Sequence, residues 1–322
     1  MSQKGFQEKN ARLWREVSQL LDIMDRGTPV TGGDTFPARY RQICQHLALA
    51  RHRRFSSEVI EGLNRLSLRG HQHLYARRFR PFQRVGDFIG RDLPRAVRRE
   101  WKLVVLAIAL FFGTGAAADV AVHLKPDLAY TILGPGMVAQ LEMMYDPSSD
   151  HFLRERASDS DLAMFGFYIR NNIGIGFRTF ASGLLLGLGS IFFLVFNGVF
   201  MGGAAGHIDV VGYGSTFYSF VIGHGAFELT AIALAGASGL KLGTAVLAPG
   251  RRSRALALLE EGKRAVSIVY GFTGMLVIAA FLEAFWSSST LVPATVKLIV
   301  GGVFWVLVIA YFAFAGRRGS AA

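Results

Sequence analysis

Cysteine and catalytic motifs are scarce in this sequence. Cys44 is the only cysteine among 322 residues, which excludes an intrachain disulfide, a CxxC redox pair and a thiolate metal centre. The sequence contains no GxSxG nucleophile elbow. The run from His224 to Glu228 supplies one histidine where the HExxH motif of zinc proteases needs two. We therefore expect no enzyme, and no catalytic residue, cofactor or metal.

Charge is also sparse, and it is unevenly distributed. Charged residues make up 18% of the chain, against 51% hydrophobic and 12% aromatic residues, which is typical of a membrane protein. Residues 1–100 contain 20 Lys/Arg and 10 Asp/Glu, whereas residues 101–322 are close to neutral. The sequence therefore predicts an all-α polytopic protein, with a basic cytoplasmic helical region over 1–100 and a transmembrane domain over 101–322.

The basic region has no feature of a nucleic-acid-binding protein. It lacks zinc-ligand spacing, an aromatic platform and a recognition helix. Anionic lipid headgroups explain the charge better, since polybasic segments beside a span gain about 1 kcal/mol per Lys or Arg. We expect the lipid bilayer, and no nucleic acid, as its partner.

Three amphipathic helices are predicted before residue 81. Phe6, Trp14 and Leu21 recur at helical spacing, and residues 27–29 (Gly-Thr-Pro) end that first run. Such helices either pack into a small antiparallel bundle, which we favour, or lie on the bilayer by their apolar faces.

About five hydrophobic segments follow Trp101. They are residues 103–122, 179–206, 210–240, 265–286 and 298–316. Residues 119–161 hold eight Asp/Glu and three Lys/Arg, and we expect this stretch to lie outside the membrane core. A basic cluster precedes the first span and should hold the N-terminus in the cytoplasm. It consists of Arg91, Arg95, Arg98, Arg99 and Lys102.

Five simple crossings would place the C-terminal Arg317 and Arg318 outside, against the positive-inside rule. The two central segments are longer than one crossing needs and are rich in glycine. We therefore predict a broken helix or re-entrant element within residues 179–240, with both termini in the cytoplasm. A plain five-span chain is the alternative.

Ionisable side chains within these segments are the candidate site. His224 and Glu228 lie four residues apart and share one face of a helix, and Gly223 and Gly225 suggest a local break there. With Glu283 and Asn197 they form the predicted intramembrane polar site, because buried charge in a membrane is usually paired or functional. The alternative is that His224 and Glu228 only satisfy a broken helix and Glu283 reaches the interface.

The chain resembles the stage II sporulation protein M family. The resemblance is carried by residue groups in both halves of the chain. These groups are Phe6-x3-Asn10-x3-Trp14, Tyr40-Arg41, Leu63-Asn64-Arg65-Leu66, Phe88, Leu93-Pro94, Asn171-Asn172, Asn197-Gly198, Glu283-Ala284-Phe285 and, most specifically, HGAFELTAIALAGASGLKLG from His224 to Gly243.

The resemblance implies a non-enzymatic, multi-pass subunit of a prokaryotic plasma membrane. It also implies protein partners, either envelope hydrolases that remodel peptidoglycan or a MoxR-type ATPase. We therefore expect a scaffold or accessory subunit. The alternative is a transporter or channel that uses a glycine-rich broken-helix site with His224, Glu228 and Glu283. A homo-oligomer is compatible with both.

Overall fold

We describe the protein from a computed structural model, which places residues 2–26, 35–75, 81–148 and 158–317. All regular secondary structure in these ranges is helical, which confirms the predicted all-α class. The predicted turn at residues 27–29, Arg318 and part of the 119–161 stretch lie outside the described residues. The α-helices are α1 (Gln3–Asp25), α2 (Phe36–His52), α3 (Ser57–Tyr75), α4 (Pro81–Asp87), α5 (Leu93–Arg99), α6 (Trp101–Ile108), α7 (Thr114–Leu124), α8 (Leu128–Leu133), α9 (Pro135–Tyr145), α10 (Ser158–Ala181), α11 (Leu188–Val210), α12 (Gly214–Leu247), α13 (Arg254–Phe281) and α14 (Ala294–Phe314).

The chain divides into two compact units, Met1–Gln83 and Arg84–Ala322. Charge alone had placed the division at residue 100. The apolar side chains Leu93, Ala96 and Val97 of α5 are buried in the core of the second unit, together with residues of α12 and α13. The N-terminal unit is therefore shorter than the basic region of the sequence.

The N-terminal unit packs α1, α2 and α3 around one apolar core. Phe6, Leu21, Ile43 and Leu63 are almost completely buried in it. The start of α1 is joined to the start of α3 because the Gln3 amide donates to Ser56 Oγ at 2.8 Å. At the other end, Arg69 of α3 binds the carboxylates of two residues near the end of α1, Asp22 and Asp25. The core and the end contacts make this unit a packed bundle in which α1 and α3 run parallel.

Five helices of the second unit are long and apolar enough to cross a membrane. They are Trp101–Leu124, Leu188–Val210, Gly214–Leu247, Arg254–Ser287 and Ala294–Phe314. The first contains a π-helical segment, Ala109–Gly113, and the fourth ends in another, Leu282–Ser287. These helices confirm a multi-pass membrane protein.

The ends of these helices meet in two groups. At one end, Lys241 near the end of α12 binds Glu100 before α6 at 3.1 Å and Glu261 of α13 at 3.5 Å. We call this the Lys241 end. At the other, His123 at the end of α7 lies 3.1 Å from Asp209 at the end of α11. We call this the Asp209 end.

A sixth helix, α10, runs the length of the same bundle. Phe165 near its start packs edge-on against Phe281, the last residue of α13, and at a tilt against Phe285 in the π-helical segment that follows. Gly183, just after its end, packs against the backbone of Gly239, near the Lys241 end. The 24 residues of α10 span about 36 Å, which is longer than the hydrocarbon core of a bilayer.

The helix break expected beside His224 is absent from the described structure. Helix α12 is continuous through Gly223 and Gly225, and α11 is continuous through Gly198 and Gly202. The chain reverses instead before α11, where Leu186 and Gly187 have positive φ, and between α11 and α12.

The glycines of α11 and α12 do not break these helices but allow neighbouring helices to pack closely. A Cβ added at Gly202 would overlap the backbone of Gly115, and one at Gly239 would overlap Ser190. Small residues at such crossings let helix backbones approach closely, which provides the packing that holds membrane helices together.

Candidate functional site

The predicted polar pair lies inside α12. His224 is ten residues after the start of the helix, about 15 Å along its axis. Its side chain is 5% exposed, and its Nε2 lies 4.0 Å from Oε2 of Glu228, one turn further on. The spacing therefore brings the two side chains together on one face, as predicted.

Glu283 completes a three-residue cluster. It projects from the π-helical segment Leu282–Ser287 at the end of α13. One ligand atom from each of His224, Glu228 and Glu283 lies within 4.8 Å of the other two. π-Helical segments occur frequently at functional sites. The structure thus brings three of the four predicted polar residues together.

Asn197, the fourth residue, is engaged elsewhere. Its side-chain amide donates to the carbonyl oxygen of Phe193 at 2.6 Å, one turn earlier in α11. The Asn197 amide therefore has its hydrogen-bond partner within its own helix.

Two further residues hold the cluster in place. Ser287 Oγ lies 3.0 Å from His224 Nδ1, and the Asn172 amide of α10 donates to Glu283 Oε2 at 3.3 Å. Sequence reasoning did not assign either residue to the site. Ser287 follows Glu283 by four residues, so a shared helix face was the available signal, whereas no spacing rule links Asn172 to a helix a hundred residues away.

The cluster lacks a basic partner. Among the ion pairs of the described residues, none joins a Lys or Arg to Glu228 or Glu283. Lys297 is nearby, and its ammonium group donates to the carbonyl oxygens of Ser287 and Ser289, both at 2.7 Å. Two carboxylates and an imidazole therefore face each other without a paired cation.

A pocket of about 520 Å³ lies beside the cluster. Tyr145, Phe220, Ser287 and Lys297 line its interior, and the exposed Met143 belongs to its lining as well. Tyr145 accepts a hydrogen bond from Thr216 at the start of α12, which places the pocket toward the Asp209 end. Ser287 lines the pocket and its hydroxyl contacts His224, whereas His224, Glu228 and Glu283 are not among the residues that line it.

Two residues of the basic cluster before the first span have a structural role. Arg98 donates to the carbonyl oxygens of Phe312 at 2.8 Å and Ala315 at 2.6 Å, and Arg95 donates to that of Gly316 at 2.9 Å. These two residues cap the end of α14, where helix carbonyls lack partners. The other three residues of the basic cluster are largely exposed. Arg91 contacts Asp87, Arg99 contacts Glu100, and Lys102 lies over the ring of Trp101.

The N-terminal unit has a basic end. Arg51, Arg53 and Arg54 are exposed where α2 ends and α3 begins. Lys4 is exposed at the same end, because the neighbouring Gln3 is bonded to Ser56. The opposite end carries Asp25, whose carboxylate contacts both Arg69 and His73. Hydrogen bonds from His73 and Arg69 lower the pKa of Asp25.

Comparison with protein-family models gives a match for most of the second unit. A model described as Stage II sporulation protein M matches residues 102–288, more than half of the chain. The chain belongs to the stage II sporulation protein M family. This confirms the resemblance in the sequence. Residues 4–76 match a separate model, described as a domain of unknown function. A search of curated proteins and a search of solved structures gave no match.

The polar cluster lies entirely within the part shared with the stage II sporulation protein M family. His224, Glu228, Glu283 and the supporting Asn172 fall within residues 102–288, whereas Lys297 falls outside them. In this family member the N-terminal bundle is thus a module joined to the family's membrane region.

Proposed function

We propose that this stage II sporulation protein M family member is a non-enzymatic scaffold, an accessory subunit of a cell-envelope complex in the prokaryotic plasma membrane. The observation that carries the proposal is the N-terminal unit, which has a closed core of its own and matches a separate domain model. A minimal channel or transporter does not need such a unit. The family resemblance suggests envelope hydrolases or a MoxR-type ATPase as partners.

The basic end of the N-terminal unit is the surface we propose for the partner. Arg51, Arg53 and Arg54 lie within four residues of sequence and are exposed, and they present positive charge at one end of the bundle. Charge complementarity at an interface raises association rates and excludes wrong partners. The partner surface should accordingly be acidic, and the N-terminus cytoplasmic.

Deletion and substitution in a strain lacking the chromosomal gene test this function. Removal of residues 2–83 should abolish rescue of envelope integrity, measured as survival on a cell-wall-acting antibiotic, while Glu228→Gln should rescue fully. Membrane levels of each variant are measured by immunoblot. Full rescue by the deletion variant would refute the scaffold.

A charge-reversal pair locates the surface. Combined Arg51→Glu, Arg53→Glu and Arg54→Glu should abolish rescue. The matched control reverses three exposed cations elsewhere on α1 and just after it, Lys9, Arg15 and Arg26. Equal loss in both triple variants would mean that general attraction to anionic lipid, and not the basic end, is responsible.

A second candidate function is transport, and the polar cluster favours it. The sequence linked this function to a broken helix, and α12 is continuous, so that support is withdrawn. The cluster of His224, Glu228 and Glu283 beside a 520 Å³ pocket is the support that remains. Buried ionisable groups in membrane proteins mark substrate or ion pathways. For a transporter the outcomes above reverse: Glu228→Gln abolishes rescue and the deletion variant retains it.

A further inference from the structure

We infer that His224, Glu228 and Glu283 bind a divalent transition-metal ion of the zinc class within the membrane region. The inference rests on the arrangement of the three ligand atoms and is independent of the scaffold proposal. The three atoms come from two helices that pack together, and they already lie within 4.8 Å of one another.

The distances are close to those that a metal ion requires. Zinc binds imidazole nitrogen and carboxylate oxygen at about 2.0–2.2 Å in tetrahedral geometry, which puts ligand atoms about 3.3 Å apart. His224 Nε2 and Glu228 Oε2 are 4.0 Å apart. The ligand atoms must therefore approach one another by about 0.7 Å in this pair, and by at most about 1.5 Å in any pair, to close the site around an ion.

Two of the three ligands have the kind of hydrogen-bonding neighbours that orient ligands in metal sites. A histidine ligand is oriented by a hydrogen bond to its other ring nitrogen, and a carboxylate ligand by a further hydrogen bond. Ser287 supplies the first, at His224 Nδ1, and leaves Nε2 facing Glu228. Asn172 supplies the second, at Glu283.

Charge also favours a divalent cation. Two partly buried carboxylates without a paired Lys or Arg are costly in an apolar medium unless a cation binds them. A neutral imidazole and two carboxylates carry two negative charges, which a divalent ion neutralises. Calcium takes six to eight oxygen ligands and magnesium prefers octahedral oxygen. One nitrogen and two oxygens instead suit zinc and its first-row neighbours.

The pocket lies next to the proposed site. It is lined by Ser287, whose hydroxyl touches His224, and by the exposed Met143. Three protein ligands also leave one position of a tetrahedral ion for water.

Zinc titration of the purified full-length protein in detergent tests the inference. After removal of metal with a chelator, the wild-type protein should retain one equivalent of Zn²⁺ through desalting, measured by atomic emission. Glu228→Gln and Glu283→Gln should each retain none. Ser287→Ala should bind with about 10- to 100-fold lower affinity, the effect of losing an orienting partner. His207→Gln is the matched control, because His207 is another buried histidine and lies 2.7 Å from Glu142.

A second set of measurements tests the inference without relying on variants of the ligands, which could fail to fold. Zn²⁺ should raise the midpoint of thermal unfolding of the wild-type and His207→Gln proteins, since a ligand that binds only the folded state stabilises it. Co²⁺ bound to the wild-type protein should give the intense visible absorption of a four- or five-coordinate site. Wild-type protein that retains no Zn²⁺ and gives no such Co²⁺ spectrum would overturn the inference. Retention of Zn²⁺ by Glu228→Gln and Glu283→Gln at the wild-type level would also overturn it.

Discussion

Lys241, near the end of α12, forms an ion pair with Glu100, directly before the first membrane span, at 3.1 Å between Nζ and Oε2. Arg98, two residues earlier, caps the end of the last helix through the carbonyl oxygen of Phe312. The beginning of the first span and the end of the last therefore lie at one end of the bundle. An even number of helices must run between the two ends, and α10 supplies the sixth.

We predict that α10 crosses the membrane and that the Lys241 end faces the cytoplasm. Arginine and lysine accumulate at that end, as the positive-inside rule requires of a cytoplasmic side. In a Cys44→Ser background, single cysteines replacing Ser148 and Ser215 should react with a membrane-impermeant thiol reagent in intact cells. A cysteine replacing Ser253 should react only after the cells are opened.

The Cys44→Ser parent controls for background labelling. Labelling of the Ser253 position in intact cells would contradict the six-crossing topology. It would favour a plain five-span chain, in which α10 lies outside the membrane.

Two adjacent glycines of α14 provide a matched test of helix packing. A Cβ at Gly301 would lie 2.5 Å from Cγ2 of Ile222 on α12, whereas one at Gly302 would have no atom within 4 Å. Gly301→Ala should lower the free energy of unfolding by about 1–3 kcal/mol, the usual cost of overpacking. We expect Gly302→Ala to be neutral or stabilising by up to about 1 kcal/mol, because alanine favours a helix over glycine. Unfolding by titration with dodecyl sulfate measures both, and equal midpoints for the two variants would contradict the packing shown here.

The sequence predicted the fold class and the His224–Glu228 pair because both follow from local periodicity. Helical spacing of four residues places these side chains on one face whatever lies around them. The position of Glu283 depended on which face of an almost uniformly apolar span turns inward, and periodicity does not decide that. Its contact with Asn172 joins residues 111 apart in sequence.

Helix α10 was not predicted as a span because polar and charged side chains make its mean hydropathy too low. Arg170, Asn171, Asn172 and Arg178 lower its hydropathy. In the structure Asn172 donates to Glu283 and Arg178 donates to the carbonyl oxygen of Gly174. A hydropathy window counts such groups as exposed to lipid, although Asn172 is buried against Glu283 of another helix and Arg178 bonds within α10 itself. On the six-crossing topology predicted above, this helix resolves the parity problem in the sequence, and the glycines of α11 and α12 do not, because both helices are continuous.

The N-terminal unit should lose stability in acid through Asp25. Hydrogen bonds from His73 and Arg69 lower the pKa of its carboxyl below the ordinary value of 3.8. A carboxyl with a lowered folded-state pKa stabilises the fold fully above its unfolded value, and this contribution disappears as pH falls through the folded value. The protection factors of peptides from α1 and α3 in the full-length protein, which are corrected for the intrinsic pH dependence of amide exchange, should thus fall below about pH 4. In Asp25→Asn this fall should be smaller, and an unchanged pH profile would assign the acid sensitivity to other groups.

Arg98 should hold the end of α14, and the neighbouring Arg99 should not. The Arg98 guanidinium is half-buried and binds two carbonyl oxygens of α14 and its cap, whereas Arg99 is exposed and contacts the adjacent Glu100. A hydrogen bond to a charged group contributes about 1.5–3 kcal/mol, so Arg98→Ala should open the last turn of α14. Amide exchange of residues 308–317 should rise about tenfold or more in Arg98→Ala, which corresponds to about 1.4 kcal/mol of lost protection. Arg99→Ala removes the same charge one position later and should leave this exchange unchanged, so an equal rise in both variants would show that net charge, and not capping, stabilises the end of the helix.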